Sequence, residues 1–387
     1  MATFRQNIIS LYIIKISKWF SLIMPIIVLF YEENRLGLHE IFLLKSVYSV
    51  VLVSLDIPTG YLADSWGRKN CLLTGCLVAF GGYLCYSFSY TFAAFFLAEI
   101  LLGIGQSLIS GADSALLYDT MQEYKREGEY LKYEGKVTMV GNFSEAFAGV
   151  FGGLLATSSL RLPFYCQTGI AFLGIPAALC LREFYIKRHI ENPLRNIWAI
   201  IRYSLGTNPK LRYDILFSGI IGTATLTMAW FVQPVFIHIG MPTAWFGIAW
   251  TVLNLTVGIA ALYSDALSAK IGENRTYAFI LVFIVGGYLS VAYSLNYFSL
   301  LLLFVFYIIR GFATPLLKGY INRQTFSEMR ATVLSIRNFI IRLIFAVIAP
   351  IIGWLNDAFS LSFALQITAL IIFLPGLLFL LLQWKKA

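Results

Sequence analysis

Eleven ionisable side chains interrupt the long apolar runs of this sequence. A charge at the centre of a bilayer costs at least about 2.5–3.5 kcal/mol, so each one needs a partner or a function. A buried carboxyl group can titrate near neutral pH and carry a proton, although a structural salt bridge is the competing interpretation. The acids, in order of preference as proton-coupling candidates, are Asp56, Glu145, Asp113 and Glu99. The bases are Lys15, Lys18, Lys45, Arg310, Lys318, Arg337 and Arg342.

Their positions along the apolar runs place four of them in the inner half of the membrane, where the geometry permits an ion pair of Lys18 with Asp56 or of Lys15 with Asp113. Lys318 and Arg337 lie near enough to the cytoplasmic face for their side chains to snorkel out of the membrane.

The excess of bases over acids bears on the substrate. If Lys15, Lys18 and Arg310 face a cavity, an anionic or zwitterionic compound is the better electrostatic match. Aromatic surface and hydrogen bonds for it would come from Trp19, Tyr118, Trp230 and Gln233. Aromatic side chains in membrane helices more often face lipid or the protein core, and that reading stays open for each of them.

A second group of charges fills the short stretch from Gly60 to Lys69. Two glycines, Gly60 and Gly67, let backbones approach closely. Asp64 can pair with Arg68 or with the positive end of a neighbouring helix. A generic cationic loop would explain Arg68 and Lys69 but not the glycines and the aspartate. The stretch therefore predicts a tight charged turn that acts as a conformational latch.

The amino-acid composition is that of an integral membrane protein. The chain has 387 residues, 59% hydrophobic and 13% charged, against about 25% charged in soluble domains. Twelve stretches are long enough to cross the hydrocarbon core, so the fold class is all-α with twelve transmembrane helices. The predicted spans are 8–31, 40–62, 70–88, 92–117, 137–157, 162–181, 213–238, 243–263, 276–294, 298–318, 332–354 and 363–384.

The connections divide these spans six and six. Residues 1–181 would form one six-helix bundle, 182–212 a basic cytoplasmic linker, and 213–387 a second bundle. With both termini cytoplasmic, the outer loops carry only Arg35 and Arg161 among the lysines and arginines, as the positive-inside rule requires. The net charge of +9 is therefore topological and does not indicate nucleic-acid binding. Gly67 and Gly272, 205 residues apart, indicate that the halves are related.

The stretch Gly60-Tyr-Leu-Ala-Asp64-Ser-Trp-Gly67-Arg68-Lys69 resembles the signature G-x-L-x-D-R-x-G-R-K between the second and third spans of major facilitator superfamily transporters. One listed position differs, since Ser65 replaces an arginine. Further similarity to a bacterial efflux branch lies in Asp56-Ile-Pro58-Thr59-Gly60 and in Ser110–Asp119. The resemblance implies two pseudo-symmetric six-helix bundles with a site between them near mid-membrane.

Two further positions bear on the direction of transport. The fifth span carries Ala148-Gly149-Val150-Phe151-Gly152-Gly153, similar to the Gly-Pro-x-x-Gly-Gly core of antiporters but with Gly149 in place of proline. Small residues such as Gly149, Gly152 and Gly153 also serve close helix packing. In the fourth span Glu99 stands four residues before Gly103, where exporters of the superfamily usually place an arginine.

These features predict a secondary transporter, with no cofactor beyond a proton gradient, that exports a small amphipathic compound by alternating access. The compound would be a drug-like molecule or a secreted anionic metabolite such as a siderophore. Uptake of a small nutrient and lipid flipping on the same fold are the alternatives. Three unclustered histidines, no phosphate loop and no metal-ligand spacing argue against an enzyme. We expect a monomer in the bacterial inner membrane, whose partners are its substrate, protons and lipid.

Overall fold

The computed structural model describes residues 2–184, 198–264, 270–326 and 329–384. Every regular element in these ranges is helical. The fourteen helices named below are numbered in chain order. They are α1 (Ala2–Trp19), α2 (Ile27–Glu33), α3 (Leu38–Ser65), α4 (Arg68–Phe88), α5 (Phe92–Ile109), α6 (Ala112–Glu123), α7 (Tyr130–Ala156), α8 (Leu162–Cys180), α9 (Pro209–His238), α10 (Thr243–Leu262), α11 (Glu273–Tyr293), α12 (Ser299–Arg323), α13 (Arg330–Ala358) and α14 (Leu361–Trp384).

Within the described ranges, eleven helical stretches are long and apolar enough to cross a membrane. They correspond to the second to the twelfth of the spans predicted from the sequence. The first predicted span, 8–31, is not one continuous helix, and that expectation is wrong. The chain leaves helical geometry after Trp19 and resumes it at Ile27, with Pro25 between them. Pro25 has no backbone N–H to donate to the preceding turn, so it weakens the helix at this point.

The protein itself satisfies the backbone at this break. The buried Gln167 of α8 accepts a hydrogen bond from the backbone N–H of Leu22 at 2.9 Å. Gly152 of α7 packs directly against the Leu22 carbonyl, where a Cβ atom would clash. Non-helical backbone is tolerated at membrane depth when protein encloses it in this way.

The fourth predicted span is also interrupted. Gly111 adopts a φ of 82°, a left-handed conformation that side chains other than glycine rarely tolerate. It separates α5 from α6, which begins at Ala112.

The helices form two compact units. The first contains Met1–Arg35, Val47–Glu191 and Pro242–Thr251, and the second contains Leu36–Ser46, Asn192–Met241 and Val252–Ala387. In the first unit α4 packs on α5 through glycines: a Cβ at Gly105 would lie 2.8 Å from the Ala79 backbone nitrogen. In the second unit α9 is central, and Gly219 and Gly222 receive the side chains of Ile340 and Ile341 of α13.

The predicted boundaries of the two bundles and their linker stay a prediction. Residues 185–197 of the linker, and residues 265–269, which precede Gly272, lie outside the described residues.

The glycine contacts make a direct prediction for α4. A Cβ at Gly75 would lie 2.7 Å from Ile109 Cγ1, whereas a Cβ at Gly81 would meet nothing within 4 Å. Gly75→Val should therefore destabilise the protein by about 1–3 kcal/mol through overpacking. Gly81→Val, on the same helix, is the matched control. Thermal unfolding in detergent measures both, and equal shifts of the two midpoints would contradict the packing described here.

Candidate functional site

The junction between α3 and α4 is organised around the guanidinium of Arg68. Gly67 precedes it with a φ of 105°, which the tight turn requires. The side chain of Arg68 is only 7% exposed, and its Nη1 makes an ion pair with Asp119 and donates to the Ala115 carbonyl. Its Nη2 lies 3.6 Å from Asp64, which is 43% exposed. The guanidinium thus joins the end of α3 to α6.

A second carboxylate holds the backbone of the same turn. Glu183 Oε1 accepts a hydrogen bond from the backbone N–H of Arg68 at 2.5 Å, at the N-terminus of α4, where the helix dipole favours an anion. Partial burial raises the pKa of Glu183, while the nearby Lys69 acts in the opposite direction. Lys69 Nζ also donates to the Leu179 carbonyl at 2.9 Å. The chain just beyond α8 is thereby attached to the turn.

Sequence reasoning placed Gly60 in this latch for a close backbone approach, and the structure does not support that reason. A Cβ at Gly60 would meet nothing within 4 Å, because the residue lies exposed on α3. Conversely, the prediction omitted Asp119 and Glu183. Asp119 closes the Ser110–Asp119 stretch that was already conspicuous, whereas nothing in the local sequence marks Glu183.

A related junction occurs in the second unit with the charges reversed. Gly272, the counterpart of Gly67, also has a positive φ of 83° and begins α11. Glu273 follows it, where Arg68 follows Gly67. Its two carboxylate oxygens lie 3.5 Å from Lys210 and 3.5 Å from Arg323.

Beside this junction is a buried carboxylate that sequence reasoning also missed. Asp214 of α9 is fully buried and accepts hydrogen bonds from the Tyr277 hydroxyl, at 2.5 Å, and from the Gln324 side chain. Gln324 stands 205 residues after Asp119, the same offset that relates the two glycines.

The predicted pair of Lys15 and Asp113 forms in the first unit. The two groups are 3.5 Å apart and their side chains are 12% and 11% exposed. Lys15 Nζ also lies 5.4 Å from the ring centroid of Trp19, a cation–π distance. The Trp19 indole N–H is buried and has no hydrogen-bond partner among the described residues. This region thus combines a shielded ion pair with an unsatisfied donor.

Three further candidates lie around this pair. Lys18 is half-buried and within electrostatic range of both Asp113 and Asp56. Asp56 is exposed on α3. Glu145 lies one helical turn beyond Gly141, whose position on α7 contacts Lys15 and Trp19. Two lysines and three carboxylates are therefore associated with one region of the first unit.

Glu99 belongs to a separate cluster. It is 2% exposed and accepts hydrogen bonds from the hydroxyls of Tyr31, at 2.9 Å, and Tyr86, at 2.5 Å. Rings of Phe95 and Phe164 pack on the two tyrosines. The carboxylate is thus enclosed by aromatic side chains.

The remaining cavity candidates are dispersed. Lys45 Nζ lies 5.0 Å from the Trp230 ring centroid, and Gln233 on the same helix is 1% exposed. Tyr118 is adjacent to Asp119, and its ring meets that of Tyr130 edge-on at 5.3 Å. It therefore lies beside the latch.

The fifth-span glycines serve close packing. A Cβ at Gly149 would lie 2.5 Å from Thr251 Oγ1, and one at Gly153 would lie 2.7 Å from the Gly247 backbone nitrogen. Thr251 Oγ1 also donates to the Ala146 carbonyl at 3.1 Å. Gly152, as described above, supports the break in the first span. Small residues let the backbones of α7 and α10 approach in the way that membrane helices use to associate.

This fold and its charged turn define a class of membrane transporter. The sequence profile described as Major Facilitator Superfamily matches residues 19–343. The chain belongs to the major facilitator superfamily, whose members are transporters and not enzymes.

Individual relatives add detail. The class H tetracycline resistance protein of Pasteurella multocida is 26% identical over 364 residues, covering 89% of this chain and 85% of that protein. The methyl viologen resistance protein SmvA of Salmonella typhimurium is 30% identical over 117 residues, but the match covers only 23% of that protein.

Solved structures share the fold at low sequence identity. The nucleoside transporter NupG superposes with a TM-score of 0.78 at 13% identity, covering 98% of both chains. A bacterial homologue of the human lysosomal transporter Spinster, in an inward-facing and unoccupied conformation, gives a TM-score of 0.76 at 14% identity, covering 98% of this chain and 95% of that one.

The Arg68–Asp119 pair predicts a large loss of stability on neutralising one partner. Asp119→Asn leaves a buried guanidinium without its main counter-charge, and breaking such pairs costs about 3–5 kcal/mol. We expect a marked fall in the thermal unfolding midpoint. Glu129→Gln, which removes a carboxylate from the exposed pair with Arg126, should leave the midpoint unchanged. A small effect of Asp119→Asn, equal to that of the control, would show that solvent compensates Arg68.

Proposed function

We propose that this chain is a proton-coupled exporter of a small amphipathic compound, either drug-like or a secreted anionic metabolite. It acts as a monomer in a bacterial inner membrane, with both termini cytoplasmic. The two halves alternate between opening inward and opening outward around a central site, as transporters built from repeats do. The observation that carries the proposal is the Lys15–Asp113 pair, which brings a shielded acid and base together within the membrane.

Proton coupling follows from the chemistry of that region. Protonation of Asp113 removes the charge that holds Lys15 and frees the ammonium group for another partner. Asp56 is exposed in a membrane helix, where an ionised carboxylate facing lipid would be costly, so we place it against water. It can exchange protons with that water, and the change in its charge alters its attraction for Lys18.

Glu145 on α7 is a further carboxylate that can accept a proton. Glu99 is another, and the hydroxyls of Tyr31 and Tyr86 donate hydrogen bonds to it.

The latch couples this chemistry to the conformational change. Arg68 is bound to α6 through Asp119 and Ala115, and to the end of α3 through Asp64. The Asp64 arm is the exposed one, so it can form and break during transport while the buried arm persists. The turn then stabilises one conformation by a modest free energy, as a reversible latch requires.

Export is supported by two kinds of relative. Proteins named for resistance to tetracycline and to methyl viologen are similar to this chain over 89% and 30% of its length. The glycine pattern of the fifth span also resembles that of antiporters. Uptake of a nutrient remains the opposite outcome of the transport experiments below.

Asp56→Asn should uncouple transport from the proton gradient, because the amide cannot exchange a proton with water. In proteoliposomes we expect substrate-driven proton movement to fall to the background level while substrate binding persists. Glu123→Gln, an exposed carboxylate at the end of α6, is the control and should behave as wild type. Unchanged pH dependence in Asp56→Asn would exclude Asp56 from coupling, and the same result in Asp113→Asn would exclude the ion-pair mechanism.

Asp64→Asn should slow turnover while leaving substrate affinity nearly unchanged, because the latch acts on switching and not on the site. Transport rates in proteoliposomes and equilibrium binding to purified protein separate the two effects. Ser65→Ala, at the exposed neighbouring position, is the matched control. A parallel loss of binding and rate would indicate that Asp64 supports the site itself.

A further inference from the structure

The cations of the two units differ in how they are compensated. In the first unit Lys15 pairs with Asp113, and Lys18 is within range of Asp113 and Asp56.

In the second unit the membrane-crossing stretches of α12 and α13 carry five cations, and Arg323, at the end of α12, pairs with Glu273. Among the described residues, no carboxylate lies within ion-pair distance, 4.0 Å, of any of the other four. They are Arg310, Lys318, Arg337 and Arg342.

The side chain of Arg337 does not extend to the membrane surface. It is 4% exposed, and its Nε donates to the hydroxyl of the fully buried Ser218 on α9. Ile340 and Ile341, on the same face of α13, pack into Gly219 and Gly222. The guanidinium is thus fixed between two helices, and the snorkelling expected from its sequence position is wrong.

The rest of the guanidinium is only partly satisfied. Its Nη1 donates to Asn338 Oδ1 at 3.1 Å. Its Nη2 has no hydrogen-bond partner among the described residues. A guanidinium that is 4% exposed and faces no carboxylate among the described residues is costly, because it keeps little contact with water and gains no anion in return. The nitrogen therefore has capacity for a ligand.

Asn338 connects this buried group to a polar face of α13. Ser335, Asn338 and Arg342 follow one another at helical spacings of three and four, so they share a face. Ser335 and Asn338 are exposed, and Arg342 is half-buried. The exposed apolar side chains of α13 form a separate stripe that includes Phe339, Leu343 and Val347. We therefore expect the apolar stripe to contact lipid and the polar face to contact water.

The α12 helix contributes a second polar stripe. Arg310, Thr314 and Lys318 are spaced by four residues, and all three are half-buried. At 1.5 Å per residue they extend over about 12 Å of the helix.

Ile321, one turn after Lys318, and Val333, one turn before Arg337, pack in the same buried cluster. The two cations therefore lie on neighbouring turns of packed helices, where their positive charges repel each other. An anion between them would relieve that repulsion.

We propose that Lys318 and Arg337 form the centre of a binding site for an anionic group of the transported compound. The group is a carboxylate, sulfonate or phosphate, and Arg310 and Arg342 extend the positive field along the two helices. Arg337 holds the anion through its free Nη2 edge, and Lys318 supplies a point charge. The inference rests on the proposed transport function and narrows its substrate class to anions and zwitterions.

The test uses naphthalene compounds that differ only in charge. Naphthoate, naphthalenesulfonate and naphthyl phosphate are the anions, and naphthamide is the neutral analogue. Binding is followed by fluorescence with the full chain in nanodiscs of zwitterionic lipid. At least one anion should bind wild type about tenfold or more tightly than naphthamide. Lys318→Gln and Arg337→Gln should each remove that preference, and Arg337→Lys should restore part of it.

Arg323→Gln is the matched control, because Arg323 ends the same helix, is exposed and already pairs with Glu273. It should keep the anion preference. Absence of any anion preference in wild type, or its survival in both Gln variants, would overturn the inference. So would loss of binding when phosphatidylglycerol is added, since the site would then hold lipid headgroups. Proton-coupled export of cations alone would overturn this site yet leave the proposed function standing.

Discussion

Inside hydrocarbon a charge or a free backbone group must be satisfied by the protein itself, and the described structure follows from that constraint. Where the first span breaks, Gln167 accepts a hydrogen bond from the buried Leu22 N–H, and Gly152 packs against the Leu22 carbonyl. Glu99 is covered by two tyrosine hydroxyls. Both departures from regular apolar helix have specific partners, and a charged group that lacks one is therefore informative.

That constraint distinguishes charged groups that hold the structure together from those that take part in transport. Arg68 is held by several acceptors and stays where it is, whereas its contact with Asp64 is exposed and weak enough to reverse. Among the described residues Lys15 pairs with one carboxylate, Asp113, whose protonation would release it. Lys318 and Arg337 have none among the described residues. The fewer protein acceptors a cation has, the more its assigned role depends on a change of partner. Arg68 is structural, Lys15 takes part in proton coupling, and Lys318 and Arg337 bind the ligand.

The related halves have diverged in charge at equivalent positions. Arg68 follows Gly67 in the first unit, and Glu273 follows Gly272 in the second. The backbone device is the same, a glycine with positive φ before a helix, but the sign of the next residue is opposite. Carboxylates of the coupling region lie in the first unit, while uncompensated cations lie in the second. This distribution of charge is consistent with proton exchange in the first unit and binding of an anion in the second.

The apolar runs were sufficient to predict the eleven membrane-crossing stretches of the described residues, because hydropathy and length decide insertion. The glycine and the cation of the turn were also predictable, as was the Lys15–Asp113 pair from depth alone. The break at Pro25 was missed because the flanking residues are as apolar as the rest of the run. Asp119, Glu183 and the tyrosines around Glu99 were missed because their partners are distant in sequence and only the folded chain brings them together.

The most direct test of the account is proton movement across reconstituted vesicles on addition of a substrate, screened over cationic, zwitterionic and anionic compounds. The account predicts protons moving opposite to the substrate, in response to anions or zwitterions. Protons moving with the substrate would establish uptake, and a response to lipophilic cations alone would place the basic residues outside the site. No proton movement with any transported compound would contradict the central claim of proton-coupled export.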